Sequence, residues 1–118
     1  MIRVETTTNG VPNIQEFGTV AIESEFHALL AMSAYHHVKD GVAYPEVLLT
    51  HGLNDPRIDP WLSGKMWARL QAATASDNPI LLRVDYHAGH GIGSTRRQSQ
   101  EQYAEVLAFL FSELGGAL

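Results

Sequence analysis

Two side chains that could share a proton follow the two most apolar stretches of this 118-residue chain. Asp55 comes shortly after Val-Leu-Leu-Thr-His, and His90 follows Ile-Leu-Leu-Arg-Val at a similar distance. His90 stands among three glycines and an alanine, and glycine permits unusual backbone angles and the close approach of other groups. We interpret His90 as a candidate catalytic base, with a core histidine as the alternative. Asp55, within Asn-Asp-Pro-Arg, is a candidate acid, with a simple turn residue as the alternative.

The elements that must position these two residues follow from the hydrophobic pattern. Apolar residues at helical spacing predict helices over 22–32, from Pro60 to about Ala73, and over 98–114. Asp59 and Pro60 suit the N-cap and first turn of the second helix, and a Gly-Gly pair follows the third. Apolar runs without alternation predict buried strands over 44–51 and 80–84. Residues 1–19 lack periodicity and are predicted to be irregular.

The order of these elements predicts an α/β fold in one domain over 1–118. Its core, over 20–116, would run helix, strand, helix, strand, helix, with the middle three forming a right-handed βαβ unit. Parallel strands bring their C-terminal ends to one edge of a sheet, so Asp55 and His90 should lie in adjacent loops. An acid followed by a histidine is the second half of the Ser, Asp, His order of α/β-hydrolases. There the acid orients the imidazole, and the histidine accepts the nucleophile's proton.

Composition excludes several classes of partner. The net charge is −5 and no cluster of cations exceeds the pair Arg96 and Arg97, which disfavours nucleic acid. No cysteine is present for a disulfide or thiolate site. No apolar run approaches the roughly 20 residues of a membrane span, and the N-terminus lacks a signal peptide's apolar region. We expect a cytoplasmic protein, or a periplasmic one if sequence upstream carries a signal.

Seven segments match one family of enzymes. They are Tyr-His-His-Val-Lys-Asp-Gly from Tyr35, Tyr-Pro from Tyr44, Leu-Leu-Thr from Leu48, Asn-Asp-Pro-Arg from Asn54, Leu-Gln-Ala-Ala from Leu70, Pro-Ile-Leu-Leu-Arg from Pro79 and Ala-Gly-His-Gly-Ile-Gly from Ala88. Together they resemble the C-terminal end of the catalytic domain of prolyl oligopeptidase-type serine peptidases, from about Phe17 to Phe111. The segments around Asp55 and His90 are the most specific.

The resemblance implies the C-terminal portion of a three-layer α/β-hydrolase domain, with a short parallel sheet flanked by helices. It assigns Asp55 as the triad acid, His90 as the base, and Arg57 as the residue that contacts a bound peptide's backbone carbonyl. It also implies cleavage of short peptides, no cofactor, and a catalytic domain that is usually gated by a β-propeller.

Two departures from the family pattern limit these expectations. None of the seven serines lies in Gly-x-Ser-x-Gly, the nucleophile motif of this fold; they are Ser24, Ser33, Ser63, Ser76, Ser94, Ser99 and Ser112. We therefore predict a segment that supplies the acid and base but is inactive until another segment or chain adds the serine. The alternative is a non-catalytic truncated remnant that acts as a folded oligomeric or interaction module. The resemblance also implies an aromatic ring near residues 11–14 in members that are selective for proline; no aromatic residue lies there, which argues against strict prolyl specificity.

The remaining polar and aromatic residues favour structural roles. The histidines and aspartates match no metal-binding spacing, so no metal is predicted; the residues considered are His36, His37, His51, His87, His90, Asp55 and Asp85. We expect His36 and His37 to be a surface or loop-packing pair, and Trp61 and Trp67 to pack within helices.

The last predicted helix carries an apolar stripe that we expect to be core and not a partner-binding surface, unless missing strands leave it exposed; it comprises Tyr103, Val106, Leu107, Leu110, Phe111 and Leu114. A sheet of two strands would leave an edge and an apolar face open. Open edges and large apolar patches favour self-association, so a homo-oligomer is predicted.

Overall fold

The structure is a computed structural model that describes residues 2–7, 9–91 and 94–115. Its three longer helices alternate with two strands, in the order expected from the hydrophobic pattern. In chain order the elements are 3-10 turns at Val4–Thr6 and Val11–Asn13, α1 (Ile14–Phe17), α2 (Glu23–Ala31), α3 (Ala34–His37), β1 (Val47–Gly52), α4 (Pro60–Ala73), β2 (Ile80–Asp85) and α5 (Arg96–Glu113).

The two strands form one parallel sheet, which confirms the predicted βαβ arrangement. Val47 pairs with Ile80 and Gly52 with Asp85, so both strands end at the same edge. β1 begins at Val47 rather than at Tyr44. The backbone carbonyl of Tyr44 accepts hydrogen bonds from the side chains of Ser76 and Asn78, and not from a neighbouring strand.

Helix α4 connects the strands and packs against them. The buried cluster comprises Val38, Leu70, Ala73 and Ile80, with Tyr44, Val47, Met66 and Trp67 packed around it. Trp67 also donates from Nε1 to the Ile80 carbonyl at 2.9 Å. The packing expected of Trp67 is therefore confirmed, whereas Trp61 is 42% exposed, with Nζ of Lys65 4.6 Å from its ring centroid. The hydrogen bond from Trp67 holds the start of β2 against α4.

Short helical turns replace the irregular segment expected over 1–19. The threonine-rich stretch looked like a loop, but Thr6 and Thr7 each donate a side-chain hydrogen bond to the carbonyl three residues earlier, at 2.8 and 2.7 Å. These bonds close the first 3-10 turn. Pro12 lies at the start of the second turn, where its missing N–H costs nothing. The prediction of irregular structure was wrong at these turns.

Helix α5 begins at Arg96, two residues before the expected start. Thr95 and Gln98 form a capping box, in which each side chain bonds to the backbone N–H of the other. This reciprocal pair satisfies N–H groups that the first helical turn leaves free. In the described part of the chain, no helix is both long and apolar enough to cross a bilayer.

The apolar stripe of α5 is exposed and not core in this chain, which is the alternative expected where strands that would cover it are missing. No residue of α5 is buried; Tyr103 is 69% exposed and Phe111 50% exposed. The helix is tied to the sheet by an ion pair between Arg83 and Glu105. The physical reason is size: two strands offer too little surface to cover both α4 and a second long helix.

Candidate active site

Each strand runs into a loop that an aspartate closes. After β1, Oδ1 of Asp55 accepts the backbone N–H groups of Arg57 and Ile58 at 2.8 and 3.0 Å. At the end of β2, Oδ1 of Asp85 accepts those of His87 and Ala88, both at 2.9 Å. Aspartates readily close turns in this way, by bonding to the backbone a few residues on. We call residues 53–58 the acid loop and residues 86–91 the histidine loop.

The two loops are joined backbone to backbone. Leu53 donates its N–H to the Asp85 carbonyl at 2.8 Å, and Asn54 donates its N–H to the Ala88 carbonyl at 3.0 Å. Gly52 allows this approach, because a Cβ atom there would lie 2.3 Å from the carbonyl oxygen of Gly89. The sheet edge and these bonds therefore make one rigid unit of the two loops.

Asp55 and His90 meet across this junction. Oδ2 of Asp55 lies 2.7 Å from Nδ1 of His90. The Asp55 side chain is 6% exposed and that of His90 is 39% exposed. A carboxylate can only accept, so Nδ1 of His90 carries the hydrogen and a neutral ring keeps its lone pair on Nε2. We call these two residues the acid–base pair.

The surroundings keep Asp55 ionised. Burial of the carboxyl raises its pKa, but hydrogen bonds from the Ile58 N–H, the His90 side chain and the Arg57 N–H together outweigh that effect and lower the pKa to about 2. The pKa of Asp85 is also lowered, chiefly by the N–H of His87. Near neutral pH both loops are therefore closed by charged carboxylates.

The low pKa of Asp55 predicts an acid-dependent contribution to stability. A group whose pKa is depressed in the folded state stabilises the fold above its ordinary pKa, here 3.8, and loses that effect as the pH falls through about 2. The difference in unfolding free energy between the wild type and Asp55→Asn should shrink as the pH falls from 3.8 toward 2. Urea unfolding of both chains across this pH range measures the difference in unfolding free energy. Asp85 is present in both chains, so its own pH-dependent contribution cancels. A difference independent of pH would contradict the prediction.

Two neighbouring clefts divide the candidate site residues. Asp55 and His90 line a cleft of about 330 Å³, together with Gln102 of α5 and with Ser94, which lies two residues before α5 begins. Arg57 instead lines an adjoining cleft of about 520 Å³, between the acid loop, the N-terminal turns and α4. Ile58 lines both clefts. Asp55 and His90 are thus hydrogen-bonded to each other, whereas Arg57 lines the neighbouring cleft.

The serines do not complete a triad within the described residues. Two of them bond to histidines: Ser33 to His36 and Ser63 to His51, both at 2.7 Å. Ser94 lines the His90 cleft, but no hydrogen bond of the described residues joins a serine to His90. Among residues 2–7, 9–91 and 94–115, no three His, Asp or Glu side chains converge as metal ligands would.

His51 is the residue that sequence reasoning missed. The sequence pattern suggested only a possible metal ligand, yet the His51 side chain is 7% exposed and its Nε2 lies 3.8 Å from Oδ2 of Asp55. Its position at the end of a predicted buried strand, four residues before the candidate acid, was the available signal. His36 and His37 instead make local contacts, as expected, with Ser33 and the Ala31 carbonyl.

Known proteins match this chain along almost its whole length. The model of the prolyl oligopeptidase family matches residues 4–117. The chain belongs to the prolyl oligopeptidase family. It is 35% identical to a prolyl endopeptidase of Elizabethkingia miricola over 98% of this chain, and 30% identical to dipeptidyl aminopeptidase BI of Pseudoxanthomonas mexicana over 97%.

Solved structures of the prolyl oligopeptidase family share the fold. One prolyl endopeptidase, 32% identical, superposes over 99% of this chain with a TM-score of 0.93. Prolyl oligopeptidase B of Galerina marginata, 28% identical, superposes over 98% with a TM-score of 0.88. The two strands and their helices are therefore part of an α/β-hydrolase architecture. The chain spans 16% of the Elizabethkingia relative and 17% of the first solved chain.

Proposed function

We propose that this chain supplies the triad acid and base of a prolyl oligopeptidase-family serine peptidase that hydrolyses short peptides. The 2.7 Å bond between Asp55 and His90 carries the proposal. The acid is buried and the base is partly exposed in a cleft, which is the arrangement that proton transfer to a bound substrate requires.

The acid–base pair acts through the two ring nitrogens of His90. Nδ1–H donates to Asp55, which fixes the ring and leaves Nε2 to accept the proton of an attacking hydroxyl. The ionised Asp55 then stabilises the imidazolium that forms. Nε2 later returns the proton to the leaving amine. Asp55 keeps its negative charge throughout, consistent with a pKa of about 2.

Arg57 is proposed to bind the backbone carbonyl of the peptide. Its side chain is exposed, and none of the ion pairs among the described residues involves it. A guanidinium free of carboxylates can donate to a neutral carbonyl. The cleft that it lines adjoins the His90 cleft at Ile58, so one extended peptide could contact both.

The serine nucleophile is proposed to come from a segment outside these 118 residues. Without it the acid–base pair has no hydroxyl to activate. The isolated chain should therefore show no turnover of chromogenic peptides and no labelling by a fluorophosphonate, a probe that reacts covalently with activated serines.

Labelling would contradict this view, and the variants Ser63→Ala, Ser33→Ala and Ser94→Ala would identify its origin. Ser63 and Ser33 bond to histidines, and Ser94 lies in the cleft. Loss of labelling in one variant, and in His90→Ala, would place the nucleophile within this chain.

A second candidate function is a folded oligomeric or interaction module. The exposed stripe on α5 and the two open strand edges favour it, since both are surfaces that other chains can cover. We expect light scattering at micromolar concentration to give a mass above one chain. Charged substitutions on the stripe, Leu107→Glu with Phe111→Glu, should lower that mass. A monomer at these concentrations would contradict self-association.

A further inference from the structure

A second histidine, His51, is buried beside the acid–base pair, and the proposed mechanism does not use it. Its Nδ1 lies 2.7 Å from the hydroxyl of Ser63, and its Nε2 lies 3.0 Å from the carbonyl oxygen of Ile58. The same Nε2 is 3.8 Å from Oδ2 of Asp55. Both ring nitrogens thus have partners, which holds a buried imidazole in one orientation.

The partners of His51 determine where its hydrogen sits. The Ile58 carbonyl can only accept, so Nε2 must carry a hydrogen. In the neutral ring Nδ1 then has the lone pair, and the Ser63 hydroxyl donates to it. The Ile58 carbonyl therefore selects the tautomer of His51, and the Ser63 hydroxyl donates to the ring nitrogen that this tautomer leaves unprotonated.

Ile58 connects His51 to Asp55. Its carbonyl accepts the hydrogen bond from His51, while its N–H donates to Oδ1 of Asp55 at 3.0 Å. Arg57 supplies the second N–H to the same oxygen, at 2.8 Å. With Oδ1 occupied by two backbone donors, Oδ2 is the oxygen that faces His90. His51 thus holds in place the turn whose N–H groups bind Oδ1 of Asp55, which leaves Oδ2 for the hydrogen bond to His90.

We propose that His51 is a positioning residue for the acid–base pair. With Ser63 it fixes the turn over 55–58 to β1, so that Oδ2 of Asp55 stays within hydrogen-bonding distance of His90. The idea rests on the proposed function where it names Asp55 as acid and His90 as base. The contacts themselves lie wholly within this chain.

NMR of the intact chain tests the role of His51. The readouts are the proton signal of His90 Nδ1–H, which the bond to Asp55 shifts downfield and protects from exchange, and the pKa of the Asp55 carboxyl. His51→Phe, which keeps a ring but removes both hydrogen bonds, should abolish the signal and move the pKa from about 2 toward 3.8. His51→Gln, whose amide can still donate to Ile58, should retain both. Ser63→Ala should shift both readouts in the direction of His51→Phe, but less.

A folded His51→Phe chain with the wild-type signal and pKa would overturn the proposal. If that variant does not fold, Ser63→Ala decides, and unchanged readouts there would also overturn it. A loss in His51→Gln equal to that in His51→Phe would overturn the hydrogen-bond assignment. Because no substrate is present, these results are independent of whether a completed enzyme turns over peptides.

Discussion

Asp55→Asn and His90→Ala are each expected to lower kcat/KM by on the order of 10⁴ in a completed enzyme, since either change removes part of the acid–base pair. The enzyme would be a chimera in which this chain replaces the matching stretch of the Elizabethkingia miricola prolyl endopeptidase. The two are 35% identical over 98% of this chain, and a prolyl endopeptidase of known structure superposes with a TM-score of 0.93. Hydrolysis of a chromogenic peptide measures the effect.

The chimera carries its own controls. Arg97→Ala removes an exposed ion pair with Glu101, one turn further along α5, and should leave kcat/KM unchanged.

Arg57→Ala should lower kcat/KM by about 10- to 100-fold, which corresponds to the loss of one charge-assisted hydrogen bond. A folded chimera without turnover, or one that keeps its rate in Asp55→Asn, would contradict the proposed roles.

Gly52→Ala is expected to destabilise the fold by on the order of 3 kcal/mol, at the upper end of the usual cost of overpacking. The added Cβ would lie 2.3 Å from the Gly89 carbonyl oxygen and 2.6 Å from that of Ala88. Both obstacles are backbone atoms of the histidine loop, so relief requires the loops to separate. Urea unfolding of the two chains measures the loss, and the His90 Nδ1–H signal should disappear with it.

Gly64→Ala is the matched control for that experiment. Gly64 lies inside α4, and a Cβ there would meet nothing within 4 Å. Replacing a helical glycine by alanine should stabilise the chain by about 1 kcal/mol. Opposite signs for the two substitutions would attribute the Gly52 effect to the loop junction. Equal signs would contradict it.

The meeting of Asp55 and His90 could be predicted because it follows from local patterns and one topological rule. Two unalternating apolar runs joined by a helix imply parallel strands, and parallel strands place their following loops at one edge. The 2.7 Å bond confirms that these loops are adjacent. Asp59 and Pro60 likewise marked the start of α4 from local chemistry alone.

The features that the sequence did not predict depend on which other residues each side chain contacts. The α5 stripe has the spacing of a core helix, but burial depends on the surface available to cover it, and two strands provide little. The role of His51 depends on Ser63 and on the Ile58 carbonyl, twelve and seven residues further along the chain. Spacing patterns describe side-chain types and not such partners. The Thr95 and Gln98 capping box, in contrast, follows a local sequence pattern, Thr-x-x-Gln, that predicts a helix start at this point.

The backbone bonds between the acid and histidine loops also bear on the order of events during folding. Asp55 and His90 are 35 residues apart in the chain, so no local nucleus can bring them together. Their contact requires the crossover through α4 to close first, and non-local closure of this kind is slow compared with helix formation. During refolding, the imidazole of His90 should therefore report the final sheet-pairing step. Helical circular dichroism should recover earlier.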